Sequence, residues 1–287
     1  MRPIEYTVMG RCYYGNHYMN KFASFILGTM LASVITLAFV YYLIEPDLDA
    51  KAVNHVKADL LAHPEFLQQL ADAYQAQQAT RQQVQTAQGV LDHLEAVKQG
   101  ALVTNTTHQA TPHPVTSDAP VTVVEFFDYQ CIYCSRLAPF INDLQQDTQL
   151  QFVFHETPIF GSRWPVSTLA AKVGNAVYET KGMAAYDRYH RALFATGHSE
   201  GQLTQQDIQT ALTTLSLTLD DLTLSDDEID QTLSLFQALG FQGTPALIVM
   251  PTEHPTVDDI HVIFGADPEQ IKQAIADVKK AAGLVTP

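Results

Sequence analysis

The chain has few basic residues. It contains 16 lysines and arginines against 31 acidic residues, which gives a formal net charge of −15 over 287 residues. Nucleic-acid binding needs a basic patch that releases counterions from phosphates, so this charge argues against nucleic acid as a partner. It favours a soluble, self-repelling surface. The acidic residues between Asp220 and Asp230 alternate with Thr and Ser, which is typical of a solvated face and not of a metal site.

Cysteines and phosphate-binding motifs are also scarce. The three cysteines are Cys12, Cys131 and Cys134. A structural zinc site needs about four nitrogen or sulfur ligands. The chain has no second C-x-x-C, and His155, His190 and His198 have no paired spacing. It also has no Gly-rich phosphate loop. We therefore expect neither an organic cofactor nor a bound metal.

One long apolar run lies near the N-terminus. Residues 22–44 contain 23 consecutive uncharged residues, enough to cross a hydrocarbon core that takes about 20 helical residues. Basic residues precede the run and acidic residues follow it, which places the N-terminus in the cytoplasm. The run exceeds a signal-peptide core, and no clear cleavage site follows it. We predict a cytoplasmic lead over 1–21, a single-pass signal-anchor over 22–44 in a bacterial inner membrane, and a periplasmic remainder.

Two features of the lead stay open. Met19-Asn20-Lys21 directly precedes the apolar run and could be the true start of translation. In that case Cys12 is absent. Otherwise Cys12 lies on the reducing side of the membrane, where it cannot easily pair with the other two cysteines. We expect it to be an inert thiol.

Residues 45–100 are rich in Gln and Ala and carry two narrow apolar stripes of helical spacing. The first contains Val56, Leu60, Leu67, Leu70 and Tyr74, and the second contains Val84, Ala87, Leu91 and Leu94. Pro64 divides the segment into at least two helices, since proline is best tolerated in a first turn. Such stripes need a partner, which could be the next domain, the membrane surface or another copy of the chain. We predict a helical oligomerisation arm, because a short stripe flanked by Gln is typical of an oligomer seam.

Residues 101–117 lose this periodicity and indicate a linker. The segment that follows, 118–287, contains the cysteine pair. Val121 to Phe127 is rich in β-branched and aromatic residues, as in a buried strand. From Cys134 onward the apolar residues have helical spacing. The pair therefore lies at a junction between a strand and a helix.

The junction favours redox chemistry at the pair. Unpaired backbone N–H groups and the helix dipole stabilise an anion at a helix N-terminus. A thiolate is such an anion, so the pKa of Cys131 should fall below the free value of about 8.5. Cys134 lies one turn later and can close a disulfide with it.

The segment V-V-E-F-F-D-Y-Q-C-I-Y-C-S-R-L-A-P resembles the active site of DsbA-family thioredoxin-like disulfide oxidoreductases. Glu125 lies where the family keeps a buried acid, and Pro139 matches the proline that kinks this helix. Further on, Q-G-T-P-A-L-I-V resembles the loop and strand of the family's cis-proline, here Pro245. The resemblance covers about 114–283 and implies an α/β thioredoxin fold with a helical insertion at about 164–236. The preceding amphipathic arm resembles that of an ScsC-like subgroup.

The resemblance implies a role for each site residue. Cys131 would attack and form the mixed disulfide, and Cys134 would resolve it. Glu125 could relay a proton to or from Cys134. Alternatively it is an ion-paired core carboxylate, for example with Lys172, because a buried acid without a partner is costly. Pro245 would be cis and pack across from Cys131, leaving the backbone of Thr244 to bind an extended substrate.

Ile132 and Tyr133, between the cysteines, would contact the substrate and tune the redox potential. Strongly oxidising members of the family carry Pro-His at these positions. Without a histidine cation beside the thiolate, Cys131 should be less acidic and the protein a weaker oxidant than DsbA. Threonine before the cis-proline, here Thr244, also occurs in DsbC-type isomerases.

We therefore expect an enzyme that forms or isomerises disulfides in unfolded or misfolded cysteine-containing client proteins. Its membrane redox partner would be a DsbB-like oxidase or a DsbD-like reductase. Two other classes of function stay open. The thiols could bind Cu(I), although the expected Met or His companions are missing. The domain could also be a membrane-tethered chaperone that only binds peptide. Only that chaperone would keep its activity without the Cys131 thiol.

Overall fold

The computed structural model describes residues 30, 32–39, 41, 53–104 and 119–284. The lead, Cys12, the choice between Met1 and Met19, and linker residues 105–117 lie outside the described residues. Within the predicted anchor, residues 30, 32–39 and 41 are described and are helical. None of the helices within the described residues is long and apolar enough to cross a membrane. The chain divides into two compact units, Met1–Ala76 and Gln77–Pro287.

The first unit contains the first apolar stripe. Residues 53–62 are helical, and a second helix, α1, spans Pro64–Asp92. The break at His63 confirms that Pro64 separates two helices, since proline at a first helical position loses no hydrogen bond. The stripe residues Val56, Leu67, Leu70 and Tyr74 are exposed.

The second unit is built on a five-stranded mixed sheet. Its strands are β1 (Ala101–Thr104), β2 (Val121–Phe127), β3 (Leu150–Glu156), β4 (Ala246–Pro251) and β5 (His261–Phe264). Their order is β1-β3-β2-β4-β5. The central pair β2 and β3 is parallel, and the other neighbours are antiparallel. Both parallel strands are buried along their whole length, which explains their continuous apolar sequence.

Helices cover both faces of the sheet. They are α2 (Leu94–Val97), α3 (Ile132–Leu144), α4 (Pro165–Lys181), α5 (Met183–Ala195), α6 (Gln205–Thr214), α7 (Asp227–Ala238) and α8 (Pro268–Ala281). A 3-10 turn at Leu219–Asp221 separates α6 from α7. Helices α4 to α7 lie between β3 and β4 in the chain, so the predicted helical insertion is confirmed. This arrangement is the expected α/β thioredoxin-like fold.

The second apolar stripe packs against the chain's own sheet. Ala87 and Val90, near the end of α1, are fully buried in a core with Val124, Phe126 and the α7 side chain Phe236. Leu91 and Leu94 pack against the same core. Our prediction of self-association was therefore wrong for this stripe, because the next domain supplies the apolar surface that covers it.

The start of the predicted linker is also different in the structure. Ala101–Thr104 form the edge strand β1, which pairs with β3 from Gln151 to Phe154. Ala101 and Val103 are buried, and a strand of four residues is too short to recognise from its sequence pattern. The folded domain therefore begins upstream of residue 118, with part of the 45–100 segment included.

Candidate active site

The cysteine pair lies at the carboxyl end of β2, where the chain turns into α3. Cys131 is the N-cap of α3, with an extended backbone (φ −80°, ψ 117°) and no side-chain capping bond. The free N–H groups of the first turn therefore face its sulfur and not a capping oxygen. Cys134 lies in that first turn and is fully buried. Both are free thiols, and Pro139 lies inside the same helix.

The loop before β4 brings Thr244 and Pro245 to Cys131. The Cys131 thiol donates a hydrogen bond to the Thr244 carbonyl oxygen at 3.1 Å. The Thr244–Pro245 peptide bond is cis, as the resemblance implied. The Pro245 carbonyl accepts a bond from the N–H of Gly265 at 2.9 Å. The Thr244 hydroxyl is buried and has no partner, so it can turn to donate to a Cys131 thiolate.

The pKa values of the two thiols are shifted in opposite directions. The Cys134 thiol donates to the Cys131 sulfur and thereby lowers the pKa of Cys131 to about 6, against the opposing effect of burial. The Thr244 hydroxyl, when it turns to donate to this sulfur, lowers it further, as do the N–H groups of Cys134 and Tyr133. Burial, together with the donated bond and the charges of Cys131 and Glu125, raises the pKa of Cys134 well above its usual value. A single negative charge on the pair therefore belongs to Cys131.

Glu125 is a buried acid on β2, beneath the pair. Its side chain is 2 % exposed. Burial, followed by the charge of Cys131, raises the pKa of Glu125 to about 8. Lys172, one possible partner, instead pairs with Asp226, and Glu125 has no ion pair within the described residues. It can therefore carry a proton at neutral pH.

The two residues between the cysteines border this site. Ile132 is half-buried, and Tyr133 is 54 % exposed beside the buried sulfur atoms. The Arg136 guanidinium lies 5.7 Å from the centre of the Tyr133 ring. Tyr133 therefore presents an exposed aromatic surface to whatever approaches Cys131.

A second buried acid, Glu156 at the end of β3, was missed in the sequence. Its Oε1 accepts hydrogen bonds from the hydroxyls of Tyr129 (2.9 Å) and Tyr186 (3.1 Å). Burial raises the pKa of Glu156 well above its usual value. A side chain at Gly174 on α4 would overlap this carboxylate. The signal available in the sequence was an acid at the end of an apolar strand.

Asp128 and Gln130 in the loop before Cys131 were also missed. Asp128 accepts a bond from the Gln130 N–H at 2.8 Å, which is an Asx turn directly after a strand. Both side chains are buried. An Asp in this position is a recognisable turn signal, but its tertiary partners are distant in sequence.

The described residues contain no group of three or more His, Cys, Asp and Glu side chains suited to hold a metal ion. What the geometry provides is an acidic thiol at a helix N-terminus, a less acidic thiol behind it, and a buried protonated carboxyl nearby. Such a pair can alternate between two thiols and one disulfide.

Comparison with known proteins agrees with this chemistry. A family model described as thioredoxin matches residues 107–261, more than half of the chain. Two curated sodium/proton antiporters match as well. NhaA 3 of Salinispora tropica is 28% identical over 52% of this chain, and NhaA 1 of Salinispora arenicola is 31% identical over 36%. The matched segments span 23% and 15% of those much longer proteins.

Solved structures with the same fold cover most of the chain. The crystal structure of BcfH from Salmonella enterica Typhimurium is 35% identical, with a TM-score of 0.66, over 84% of this chain and 99% of that one. The catalytic domain of Proteus mirabilis ScsC is 21% identical with a TM-score of 0.52, over 67% and 97% of the two chains. The thiol-disulfide exchange protein α-DsbA2 from Wolbachia pipientis is 22% identical with a TM-score of 0.53, over 69% and 97%. The chain therefore belongs to the thioredoxin family whose model it matches, and it shares the fold of the ScsC and α-DsbA2 structures.

Proposed function

We propose that this protein exchanges disulfides with client proteins through a mixed disulfide at Cys131. The observation that carries the proposal is the contrast in acidity between two thiols one helical turn apart, next to Thr244 and the cis-proline. A thiolate attacks a disulfide best when its pKa is near ambient pH. A pKa of about 6 for Cys131 makes it mostly thiolate at neutral pH while it keeps its nucleophilicity.

The exchange proceeds in two balanced steps. The Cys131 thiolate attacks one sulfur of a client disulfide, the client S–S bond breaks, and the other client sulfur leaves as a thiolate. Cys134 then gives up its proton and attacks the Cys131 sulfur, which releases the second client thiolate and leaves a Cys131–Cys134 disulfide. Two electrons have passed to the client. In the reverse direction the client is oxidised. Isomerisation starts instead from the mixed disulfide: the released client thiolate attacks a second disulfide of the client, and the thiolate set free there displaces Cys131.

Glu125 and Thr244 support these steps. When ionised, Glu125 can take the proton of Cys134, whose pKa its charge raises. In the mixed disulfide Cys131 has no proton to donate, so the Thr244 carbonyl becomes available to an N–H of an extended client. Ile132 and Tyr133 would contact the client side chains next to its cysteine.

Two variants test the mechanism. Cys131→Ser should abolish both disulfide reduction and refolding of a scrambled model protein. Cys134→Ser should accumulate a mixed disulfide that is visible on a non-reducing gel. Peptide binding or refolding that survives Cys131→Ser would indicate the chaperone function instead. Tight Cu(I) binding lost in both variants, without any exchange activity, would indicate the copper function.

We further propose that the domain acts in the periplasm, tethered by the 22–44 segment with the N-terminus in the cytoplasm. Alkaline phosphatase fused after residue 50 should be active, and a thiol reagent that cannot cross the membrane should label Cys131 in intact spheroplasts. Inactive fusions and unlabelled Cys131 would contradict this orientation. If the segment is an uncleaved anchor, the protein should remain in the membrane fraction after a carbonate wash. If it is a cleaved signal, the protein should be released.

The exposed first stripe supports self-association through the 53–76 segment. Leu67→Asp with Leu70→Asp should reduce the mass measured by light scattering to that of a monomer.

An oligomer with facing active sites, together with Thr244, favours isomerisation over simple oxidation. The in-cell redox state of the pair, trapped in acid in a Cys12→Ser background, tests the direction. A mostly reduced pair implies a DsbD-like reductase as partner, and a mostly oxidised pair implies a DsbB-like oxidase.

A further inference from the structure

The loop Asp128–Gln130 connects the cysteine pair to three separate elements of the domain. Asp128 is 2 % exposed and has a hydrogen-bond partner for each carboxylate oxygen. Oδ1 accepts from the Ser167 hydroxyl at 2.8 Å as well as from the Gln130 N–H. Oδ2 accepts from the N–H of Phe160 at 2.9 Å. Ser167 is in the first turn of α4, and Phe160 is in the loop after β3, so this one carboxylate joins both to the active-site loop.

The backbone of Asp128 contacts both cysteines. Its carbonyl accepts from the N–H of Cys131 at 2.9 Å, and its backbone N–H lies close enough to the Cys134 sulfur to oppose, in small part, the rise that burial causes in the pKa of that thiol. The residue therefore bonds through its side chain to the surrounding fold and through its main chain to the redox pair. A displacement of Asp128 would move both sulfur atoms relative to the α3 N-terminus and Thr244.

Gln130 ties the same loop to the helical insertion, and Tyr129 ties it to the end of β3. The Gln130 carbonyl accepts from the N–H of Glu200 at 2.9 Å, and its Oε1 accepts from the N–H of Gly201 at 2.7 Å. The Tyr129 hydroxyl donates to Glu156. These contacts fix the loop on its other side, and of the three loop residues it is Asp128 that bonds both to the surrounding fold and to the cysteine pair.

We propose that Asp128 is a positioning residue for the disulfide exchange proposed above: its buried carboxylate holds the loop so that Cys131 keeps the hydrogen bonds that stabilise its thiolate. The carboxylate does not touch the client. It acts through the geometry of the first turn of α3. Three hydrogen bonds reduce the cost of burying the Asp128 carboxylate, although burial still raises the pKa of Asp128 above its usual value.

The test compares Asp128→Asn with Asp207→Asn in the full chain with Cys12→Ser. In Asp128→Asn one carboxylate oxygen becomes an amide NH₂, which cannot accept a hydrogen bond. It faces either the Phe160 N–H or the two groups that donate to Oδ1, so at least one hydrogen bond is lost. Asp207 also accepts several hydrogen bonds, in the more exposed capping box of α6 with Thr204 and His198, and has no contact with the cysteines within the described residues. Both variants should lower Tm, and only Asp128→Asn should change the chemistry of Cys131.

The readout is the rate of Cys131 alkylation against pH, followed by mass spectrometry of its peptide. At about pH 5 the rate is proportional to the thiolate fraction. Asp128→Asn should slow it about tenfold and move the midpoint upward by about one unit. Ser167→Ala removes a single donor and should give a smaller change in the same direction, which keeps the test valid if Asp128→Asn does not fold.

Alkylation of folded Asp128→Asn and Ser167→Ala at the wild-type rate would overturn the proposal and leave Asp128 a purely structural residue. An equal slowing in Asp207→Asn would overturn it as well, since general destabilisation would then explain the effect. These outcomes differ from failure of the proposed function, in which wild-type Cys131 itself shows no reactive thiolate near pH 6 and Cys131→Ser keeps its activity.

Discussion

Glu125 and Glu156 are two buried acids on neighbouring parallel strands, and the structure surrounds them very differently. Each is 2 % exposed, and they belong to the same face of the sheet, two positions apart in register. Glu156 accepts bonds from two tyrosine hydroxyls. Glu125 interacts with the charges of Cys131 and Cys134. Burial raises the pKa of both.

A raised pKa therefore does not by itself distinguish a functional acid from a structural one. The neighbours do. Two tyrosine hydroxyls donate to Oε1 of Glu156, while its Oε2 is buried without a partner within the described residues. The role of Glu156 is therefore to hold α5 and the active-site loop against β3. Thiols change their charge and their bonding with redox state, so the proton of Glu125 is the one that can move. The following variants separate these two roles, in order of decreasing expected effect.

Glu156→Ala should cause the largest change, a loss of about 4 kcal/mol in the free energy of unfolding. It leaves the hydroxyls of Tyr129 and Tyr186 buried without an acceptor, at about 1–3 kcal/mol each, and opens a cavity. Chemical denaturation at neutral pH measures it. Glu156→Gln is the matched control, because it keeps a carbonyl acceptor for both hydroxyls and also removes an acid whose pKa is raised, so it should not destabilise the protein at neutral pH. Equal losses in the two variants would contradict the role given to Oε1.

Glu125→Gln should change the free energy of unfolding in the opposite direction, by making the protein more stable. The pKa of Glu125 is raised from 4.5 to about 8 in the folded protein, so the unfolded chain releases a proton that the folded protein keeps between these values. Stability consequently falls as pH rises through this window. Removing the acid should abolish that slope and stabilise the reduced protein by up to about 3 kcal/mol at neutral pH.

The same Glu125→Gln variant should slow resolution of the mixed disulfide, because Cys134 loses its proton acceptor. Stopped-flow mixing of the reduced protein with a disulfide-bonded peptide, followed by the release of the second peptide thiol, measures this step. A stabilised variant with an unchanged rate would show that Glu125 stores a proton without relaying it. A destabilised variant with no change in pH slope would contradict its position beneath the pair.

Lys172→Met should have the smallest effect, below about 0.5 kcal/mol, because its ion pair with Asp226 is largely solvated on the acid's side. The pH slope due to Glu125 should not change, as Lys172 is not its partner. A shift of that slope in Lys172→Met would show that the two charges interact, and would weaken the contrast between Glu125 and an ordinary ion-paired acid.

The sequence predicted what depends on local pattern. Cys131 at a helix N-terminus, the buried strand that contains Glu125, and the cis-proline loop all follow from short motifs. It could not predict which side chains meet across the fold. The Tyr186 bond to Glu156 and the Ser167 bond to Asp128 join residues 30 and 39 positions apart. The second apolar stripe was misassigned for the same reason. A narrow apolar stripe has the same sequence pattern whether it packs against a sheet of its own chain or against another copy of the chain.

The central claim is that Cys131 is a moderately acidic nucleophile in a redox pair. The most direct test is the ultraviolet thiolate absorbance of the reduced protein, titrated against pH with Cys131→Ser as the baseline. The structure predicts a single transition with a midpoint of about 6 that disappears in Cys131→Ser. A midpoint above about 8 would leave an ordinary, unactivated cysteine, and one near about 3.5 would make the protein a strong oxidant; either result would contradict this account.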